Sequence, residues 1–154
     1  MALIHASCVE IDGSAVLLRG APGSGKSDLA LRLIDGGARL VADDQVDVVA
    51  IRGELIATAP ETIAGLIEVR GLGVVRLPDA KLTPRARLSL VIDLGPSAAV
   101  ARLPDAATVT IEGVTLPLLV LAAFEASAPA KVQLALSGTA QMPVAGRRPR
   151  TKRG

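Results

Sequence analysis

Eight consecutive residues near the N-terminus have the types and spacing needed to bind a phosphate group. In order, they are Gly20, Ala21, Pro22, Gly23, Ser24, Gly25, Lys26 and Ser27. Glycines let several backbone N–H groups close around phosphate oxygens, because no Cβ atom stands in the way. Lys26 can then reach the outer phosphates as a point charge, and the Ser27 hydroxyl can bind Mg²⁺. The pattern predicts a phosphate-binding loop (P-loop).

The segments on either side of this loop suit the structure that it requires. Residues 15–18 are Ala-Val-Leu-Leu, a short apolar run typical of a buried strand. Residues 29–34 suit a helix that ends at the glycine pair 36–37. A strand, a glycine-rich turn and a helix N-terminus together place N–H groups and positive potential around one anion. The alternative is an ordinary glycine turn, but five fixed positions make a chance match rare.

Two adjacent carboxylates follow the next apolar run. Residues 39–42 predict a strand, and Asp43 and Asp44 come directly after it. Ligands collect at the carboxyl ends of strands in α/β proteins, where an aspartate can hold Mg²⁺ or accept a hydroxyl proton. Neighbouring residues on a strand point to opposite sides, so we expect one aspartate to face the site and the other to support it. The alternative is a solvated acidic turn.

Three further charged side chains are candidates because of where they fall. Glu68 and Arg70 lie on the same side of a predicted extended segment, residues 66–75, which contains two closely spaced glycines. An acid and a base beside a nucleotide would suit metal and phosphate handling, although a charged strand edge has the same pattern. Arg102 falls in a predicted loop after a buried strand at residues 88–94.

His5 lies in residues 3–10, which predict one strand of a hairpin that turns at Asp12 and Gly13. This hairpin would bring the imidazole close to the phosphate-binding loop. A structural or exposed histidine is the alternative at such a position.

The rest of the pattern predicts an α/β fold with a mixed β-sheet around the phosphate-loop helix. Residues 46–51 and 54–59 predict a second hairpin, and residues 108–111 and 114–121 a third. Residues 122–136 are mostly helical in composition apart from a proline. A chain of 154 residues with 50% apolar content suits a single domain.

The aromatic content limits how a nucleotide base can be held. Phe124 is the only aromatic residue, since the chain has no Trp or Tyr. We therefore expect aliphatic side chains to sandwich an adenine ring.

Charge and cysteine content exclude several classes of protein. Five of the last eight residues are basic, and without them the chain has 12 basic and 15 acidic residues. The body is thus mildly acidic and does not predict a nucleic-acid binder. We expect residues 139–154 to form a disordered basic tail, with contact to RNA, membrane or an acidic partner as the alternative.

The lone Cys8 excludes an internal disulfide and a cysteine-based metal site. The sequence shows no secretion signal and no membrane-spanning run. We expect a cytoplasmic protein with no membrane association.

Several separated pieces together resemble one family, the catalytic domain of HPr kinase/phosphorylase. That bifunctional enzyme phosphorylates a serine of the phosphocarrier protein HPr and can remove the phosphate by phosphorolysis. More distantly, the chain is similar to phosphoenolpyruvate carboxykinase. The matching pieces, over roughly residues 3–138, are residues 5–6, 20–27, 40–44, 67–73 and 102–103.

The resemblance implies a role for each matched residue. Residues 20–27 would bind the phosphates of ATP, and Ser27 and Glu68 would hold Mg²⁺. Asp44 matches the proton acceptor of the kinase reaction and the proton donor of its reverse. The other implied active-site residues are His5, Lys26 and Arg102.

The resemblance also implies a catalytic domain at residues 1–138, an HPr-like protein partner and a homo-hexamer. The implied role is regulation of carbon and nitrogen metabolism through the phosphotransferase system. Two features depart from the family. The N-terminal domain of its longer members has no counterpart here, and residues 118–122 read Leu-Leu-Val-Leu-Ala in place of a Gly-Arg-Asn motif associated with partner docking.

Two other functions therefore stay open. A small-molecule kinase could use the same loop, although residues 77–107 offer little for a substrate pocket or lid. A nucleotide-sensing module without phosphotransfer is the other alternative.

Overall fold

In a computed structural model, the structure of the protein is described for residues 1–138. The basic tail expected at residues 139–154 lies outside the described residues. The strands are β1 (Ala2–Ile4), β2 (Ala6–Ile11), β3 (Ser14–Arg19), β4 (Arg39–Ala42), β5 (Val46–Ile51), β6 (Glu54–Thr58), β7 (Leu66–Val69), β8 (Gly73–Arg76), β9 (Arg85–Leu94), β10 (Thr108–Ile111) and β11 (Val114–Leu121). The α-helices are α1 (Lys26–Asp35) and α2 (Ala128–Ser137). Short 3₁₀ turns lie at Glu61–Ile63, Asp79–Lys81 and Ser97–Ala99.

Within residues 1–138, the main sheet has nine strands and is mixed, as predicted. Its order is β1-β5-β6-β9-β3-β2-β4, with β11 also paired to β9 and β10 paired to β11. The long strand β9 runs parallel to β3 and β11 and antiparallel to β6. Its first half pairs with β6 and its second half with β11, so the sheet forks there. The carboxyl ends of β3, β9 and β11 consequently share one edge of the sheet.

Apolar side chains fill both faces of this curled sheet. On one face, α1 and α2 pack through residues such as Leu29, Leu33 and Val132. On the other face, β2, β3, β5 and β6 enclose a second core that includes Leu17 and Cys8. Burial raises the pKa of the Cys8 thiol well above its ordinary value, so this thiol stays protonated and packs as an apolar group.

The three predicted hairpins are confirmed. The β2–β3, β5–β6 and β10–β11 pairs are antiparallel, and each is closed by two residues with positive φ. The turns are Asp12-Gly13, Arg52-Gly53 and Glu112-Gly113. A two-residue turn of this kind matches the twist of its strands, which explains why a glycine follows a polar residue at each turn.

Three predicted elements differ from the structure. His5 lies in a bend between β1 and β2, so residues 3–10 are not one continuous strand. Arg70 lies in the turn of a separate two-stranded hairpin formed by β7 and β8, because the two glycines reverse the chain. The last helix begins at Ala128, since Pro129 suits only a first turn, and residues 122–127 form a loop.

Neither of the α-helices within residues 1–138 has the length and apolar character needed to cross a lipid bilayer.

Candidate active site

Residues 20–25 connect β3 to α1 in a turn whose glycines are required by geometry. Gly25 caps α1 with φ +97°, and a Cβ atom there would lie 2.7 Å from Cβ of Ala123. A Cβ atom at Gly20 would lie 2.3 Å from Oγ of Ser24 and 3.1 Å from the Leu94 carbonyl oxygen. The loop therefore forms a tight backbone cradle at the helix N-terminus, which suits an anion such as a phosphate.

Two side chains of the loop carry groups that suit phosphate oxygens. The Lys26 ammonium donates hydrogen bonds to the carbonyls of Gly20 (2.7 Å) and Ala21 (3.2 Å), so it arches back over the loop. The Ser24 hydroxyl is buried and has no hydrogen-bond partner among the described residues. A buried donor without a partner in the loop fits a bound anion, because the anion would accept its hydrogen bond.

Asp43 is the centre of a hydrogen-bond network that joins four elements. Its carboxylate accepts bonds from the Ser7 hydroxyl (2.6 Å), the Ser27 hydroxyl (2.7 Å and 3.0 Å) and the backbone N–H of Glu68 (3.0 Å). Asp43 is 4% exposed. We call Asp43 and these three donors the Asp43 hub. It fixes β2, α1 and β7 around the end of β4.

Asp44 is held only by its backbone. The residue is exposed with φ +71°, and the N–H of Ala6 donates to its carbonyl oxygen (3.1 Å). Within residues 1–138, its carboxylate makes no hydrogen bond or ion pair. The bond to Ala6 brings the neighbouring His5, which is also exposed, to the same edge of the site. The expected division between a supporting and a facing aspartate is consistent with this difference.

Ser27 and Glu68 are brought together by the hub. The Ser27 hydroxyl and the backbone N–H of Glu68 both donate to Oδ2 of Asp43, at 3.0 Å each, while the Glu68 side chain is exposed. A hydroxyl and carboxylates are the oxygen donors that Mg²⁺ prefers, with phosphates and water completing its coordination. The described residues contain no cluster of three or more His, Cys, Asp or Glu side chains that would hold a metal alone. The donor set thus fits a magnesium ion that is shared with a nucleotide.

Arg102 is the predicted site residue that the structure leaves apart. Its side chain is exposed on the loop after the 3₁₀ turn Ser97–Ala99, and it makes no hydrogen bond or ion pair with any described residue. This loop follows β9, whose last carbonyl lies beside Gly20. Arg70, in the β7–β8 turn, is likewise exposed. We call His5, Asp44, Arg70 and Arg102 the exposed rim.

Sequence reasoning missed three residues that build the site. Ser7 is fully buried in the hub, and nothing in the local pattern distinguishes it from other small residues of a strand. Arg19, directly before the loop, forms a two-pronged ion pair with Asp93 (2.7 Å and 3.0 Å) and thereby ties the end of β3 to β9. Arg19 and Asp93 each directly follow an apolar run in the sequence. Opposite charges at matching ends of two predicted strands could have predicted this ion pair.

The fold and this geometry define a class: a mixed α/β protein whose glycine loop, lysine and carboxylates suit a magnesium-bound phosphate. Comparison with known proteins gives the family. Residues 1–132 match the family model described as HPr Serine kinase C-terminal domain. The chain belongs to this family, as the sequence resemblance predicted.

Relatives and a solved structure agree with this assignment. An HPr kinase/phosphorylase of Limosilactobacillus reuteri (strain DSM 20016) is 39% identical over 124 residues, which cover 74% of this chain and 38% of the relative. One from Clostridium tetani is 47% identical over 75 residues, covering 49% of this chain and 25% of the relative. This chain therefore spans between a quarter and two fifths of the length of these two relatives.

The structure of the HPr(Ser) kinase/phosphatase from Coxiella burnetii superimposes with a TM-score of 0.81 at 26% identity. The match covers 91% of this chain and 91% of that one.

Proposed function

We propose that this chain is a Mg·ATP-dependent protein serine kinase that phosphorylates an HPr-like phosphocarrier protein, and that it also removes this phosphate by phosphorolysis. The observation that supports it most is the Asp43 hub, which holds Ser27 and Glu68 together beside Lys26 in a chain of this family. A protein kinase needs an electrostatic frame for a phosphate and a free carboxylate for a hydroxyl. The glycine loop with Lys26 supplies the first part, the hub positions Ser27 beside it, and Asp44 supplies the free carboxylate.

In the forward direction, bound Mg·ATP supplies the phosphoryl group and part of the charge neutralisation. Lys26, the N–H groups of the loop and Arg102 stabilise the negative charge that develops on the transferred group. The substrate serine oxygen bonds to the γ-phosphorus while the bond from that phosphorus to the β–γ bridging oxygen breaks, and ADP leaves. Asp44 accepts the serine proton.

In the reverse direction, inorganic phosphate attacks the phosphoserine phosphorus, and the bond to the serine oxygen breaks. Pyrophosphate forms, and Asp44 returns a proton to the serine oxygen. The same groups therefore act in both directions, with phosphate taking the place of the nucleotide.

The test is phosphotransfer measured by intact mass. The purified chain is incubated with Mg·ATP and an HPr-like protein from the same genome. The Lys26→Ala variant is incubated with the same components in a parallel reaction. We expect one added phosphate on a serine, its removal by excess inorganic phosphate, and no transfer by Lys26→Ala. Lys81→Ala is the matched control, because Lys81 is exposed and makes no side-chain hydrogen bond within residues 1–138.

Three results would change the proposal. Undiminished transfer by Lys26→Ala would contradict the site assignment. Transfer without reversal would leave a kinase only, and ATP binding without transfer would favour the nucleotide-sensing module.

The catalytic domain boundary at residue 138, the hexamer and the cytoplasmic location stay predictions.

A further inference from the structure

Phe124, the only aromatic residue of the chain, is 70% exposed. The two preceding residues, Ala122 and Ala123, are 5% and 1% exposed, so the ring projects at the point where a buried stretch ends. An aromatic side chain stabilises a fold mainly by burying its large surface. Because this ring is mostly exposed, it contributes little stability by burial. This points to a role in binding rather than in packing.

The ring lies against the phosphate-binding loop. A Cβ atom built on Gly25 would be 3.0 Å from Cζ and 3.3 Å from Cε1 of Phe124. Gly25 belongs to the backbone cradle and caps α1. The exposed ring thus stands beside the position where the proposed function places the phosphates of a nucleotide.

The loop that carries the ring, residues 122–127, is tied to its surroundings at several points. Arg32 of α1 donates hydrogen bonds to the carbonyls of Ala123 and Glu125. The Glu125 carboxylate accepts bonds from Lys131 (3.0 Å) and from Ser97 (3.1 Å). Because these bonds reach α1, α2 and the turn after β9, they hold the backbone on either side of Phe124 in place without a ligand. A preformed platform loses little entropy on binding.

The topology places residues 122–127 within reach of a nucleotide whose phosphates lie at residues 20–25. β3 and β11 both run parallel to β9, so the loops that follow them, residues 20–25 and 122–127, emerge at the same edge of the sheet. Ligands of open α/β sheets lie across this edge. A nucleotide with its phosphates in the first loop would have its base at the second.

We infer that Phe124 is the stacking platform for the base of the nucleotide bound at residues 20–27. The inference rests on the proposed function, and it differs from the sequence expectation that aliphatic side chains would sandwich the base. The face of the ring would lie on the face of the base, an arrangement that tolerates any base because each has a π surface.

The test compares two ligands that share phosphates but differ in the base: ATP and inorganic tripolyphosphate, each with Mg²⁺, titrated calorimetrically. For Phe124→Ala we expect ATP binding to weaken about tenfold, within the range measured for loss of one base–aromatic stack. Tripolyphosphate binding should not change. Phe124→Tyr should bind ATP like the wild type, and Phe124→Leu should bind it like Phe124→Ala.

Leu134→Ala is the matched control, because Leu134 is also 70% exposed but lies on α2. It should leave both ligands unaffected. The midpoint of urea unfolding should be nearly unchanged in every Phe124 variant, because the ring is mostly exposed.

Three outcomes would overturn the inference. Unchanged ATP binding by Phe124→Ala would show that the ring does not touch the base. An equal loss for both ligands would show that the ring acts through packing on Gly25. If Phe124→Ala raised the KM for the HPr-like protein and left ATP binding unchanged, the ring would contact the protein substrate and not the base. Wild-type chain that binds neither ligand would instead contradict the proposed function itself.

Discussion

The Asp43 hub and the exposed rim meet at the adjacent residues Asp43 and Asp44, yet their side chains are held in opposite ways. The Asp43 carboxylate is buried and accepts bonds from two hydroxyls and one backbone N–H. The rim residues, including the adjacent Asp44, are exposed and have no side-chain hydrogen bond within residues 1–138. The nucleotide side of the proposed site is therefore preformed by the fold, whereas the side proposed to meet the protein substrate is open.

This comparison predicts that Asp44 can be changed without cost to the fold. In Asp44→Asn the proposed proton acceptor is lost, and kcat for phosphotransfer should fall about 10²- to 10⁴-fold. Asparagine also tolerates the positive φ at this position, so the midpoint of urea unfolding should stay within error. ATP binding should be nearly intact.

Asp12→Asn is the control for this variant, because Asp12 is also an exposed aspartate with positive φ, located in the β2–β3 turn. It should change neither kcat nor stability. Normal phosphotransfer by Asp44→Asn would place the base elsewhere.

The buried neighbour should behave in the reverse manner. Asp43→Asn leaves an amide in place of a carboxylate that accepts several hydrogen bonds, and the free energy of unfolding should fall by about 2 to 3 kcal/mol. Chemical denaturation monitored by far-UV circular dichroism would measure this. Equal midpoints for Asp43→Asn and Asp44→Asn would break the distinction between hub and rim.

Alanine substitutions at two glycines of the loop distinguish the cost of backbone strain from the cost of steric overlap. Gly23 and Gly25 both have positive φ, but a Cβ atom on Gly23 meets nothing within 4 Å, whereas one on Gly25 meets Ala123 and Phe124. Both alanine variants are strained, and Gly25→Ala should be less stable than Gly23→Ala by about 2 kcal/mol, because the cradle must also be overpacked. Thermal unfolding of the two variants, measured side by side, tests this. Equal losses of stability would show that the residues around Gly25 can move to accommodate a Cβ atom.

The smallest predicted effect concerns the loop that carries Phe124. Hydrogen bonds from Lys131 and Ser97 lower the pKa of Glu125 below its ordinary value of 4.5. A carboxyl group with a lowered pKa stabilises the fold above its unfolded-state pKa and loses that contribution as the pH falls through its folded-state pKa. The stability advantage of the wild type over Glu125→Gln should therefore be present at neutral pH, shrink as the pH falls below the unfolded-state pKa, and disappear below the lowered folded-state pKa.

Urea midpoints measured at neutral pH and at about pH 3 would show this change. Glu61→Gln, at an exposed glutamate that makes no hydrogen bond within the described residues, is the control. A pH-independent difference between wild type and Glu125→Gln would mean that the ion pair contributes nothing.

The sequence by itself determined the local features of this protein. The glycine loop between β3 and α1, the aspartates after β4 and the three hairpin turns were all predicted, because each depends on a few neighbouring residues and their backbone preferences. Family membership also followed from the order and spacing of such local pieces. Residues 122–127 were predicted wrongly as helix, because a helical composition does not show that the chain turns back across α1 before Pro129.

Only the tertiary structure decided which side chains meet. The hub unites Ser7, Ser27 and Asp43 because β2 pairs with β4 and α1 packs beneath them, and Ser7 and Asp43 are 36 residues apart. Phe124 reaches Gly25 because β11 pairs with β9 and returns the chain to the edge where β3 ends. Strand register and packing set these contacts, and neither is encoded within any short stretch of the chain.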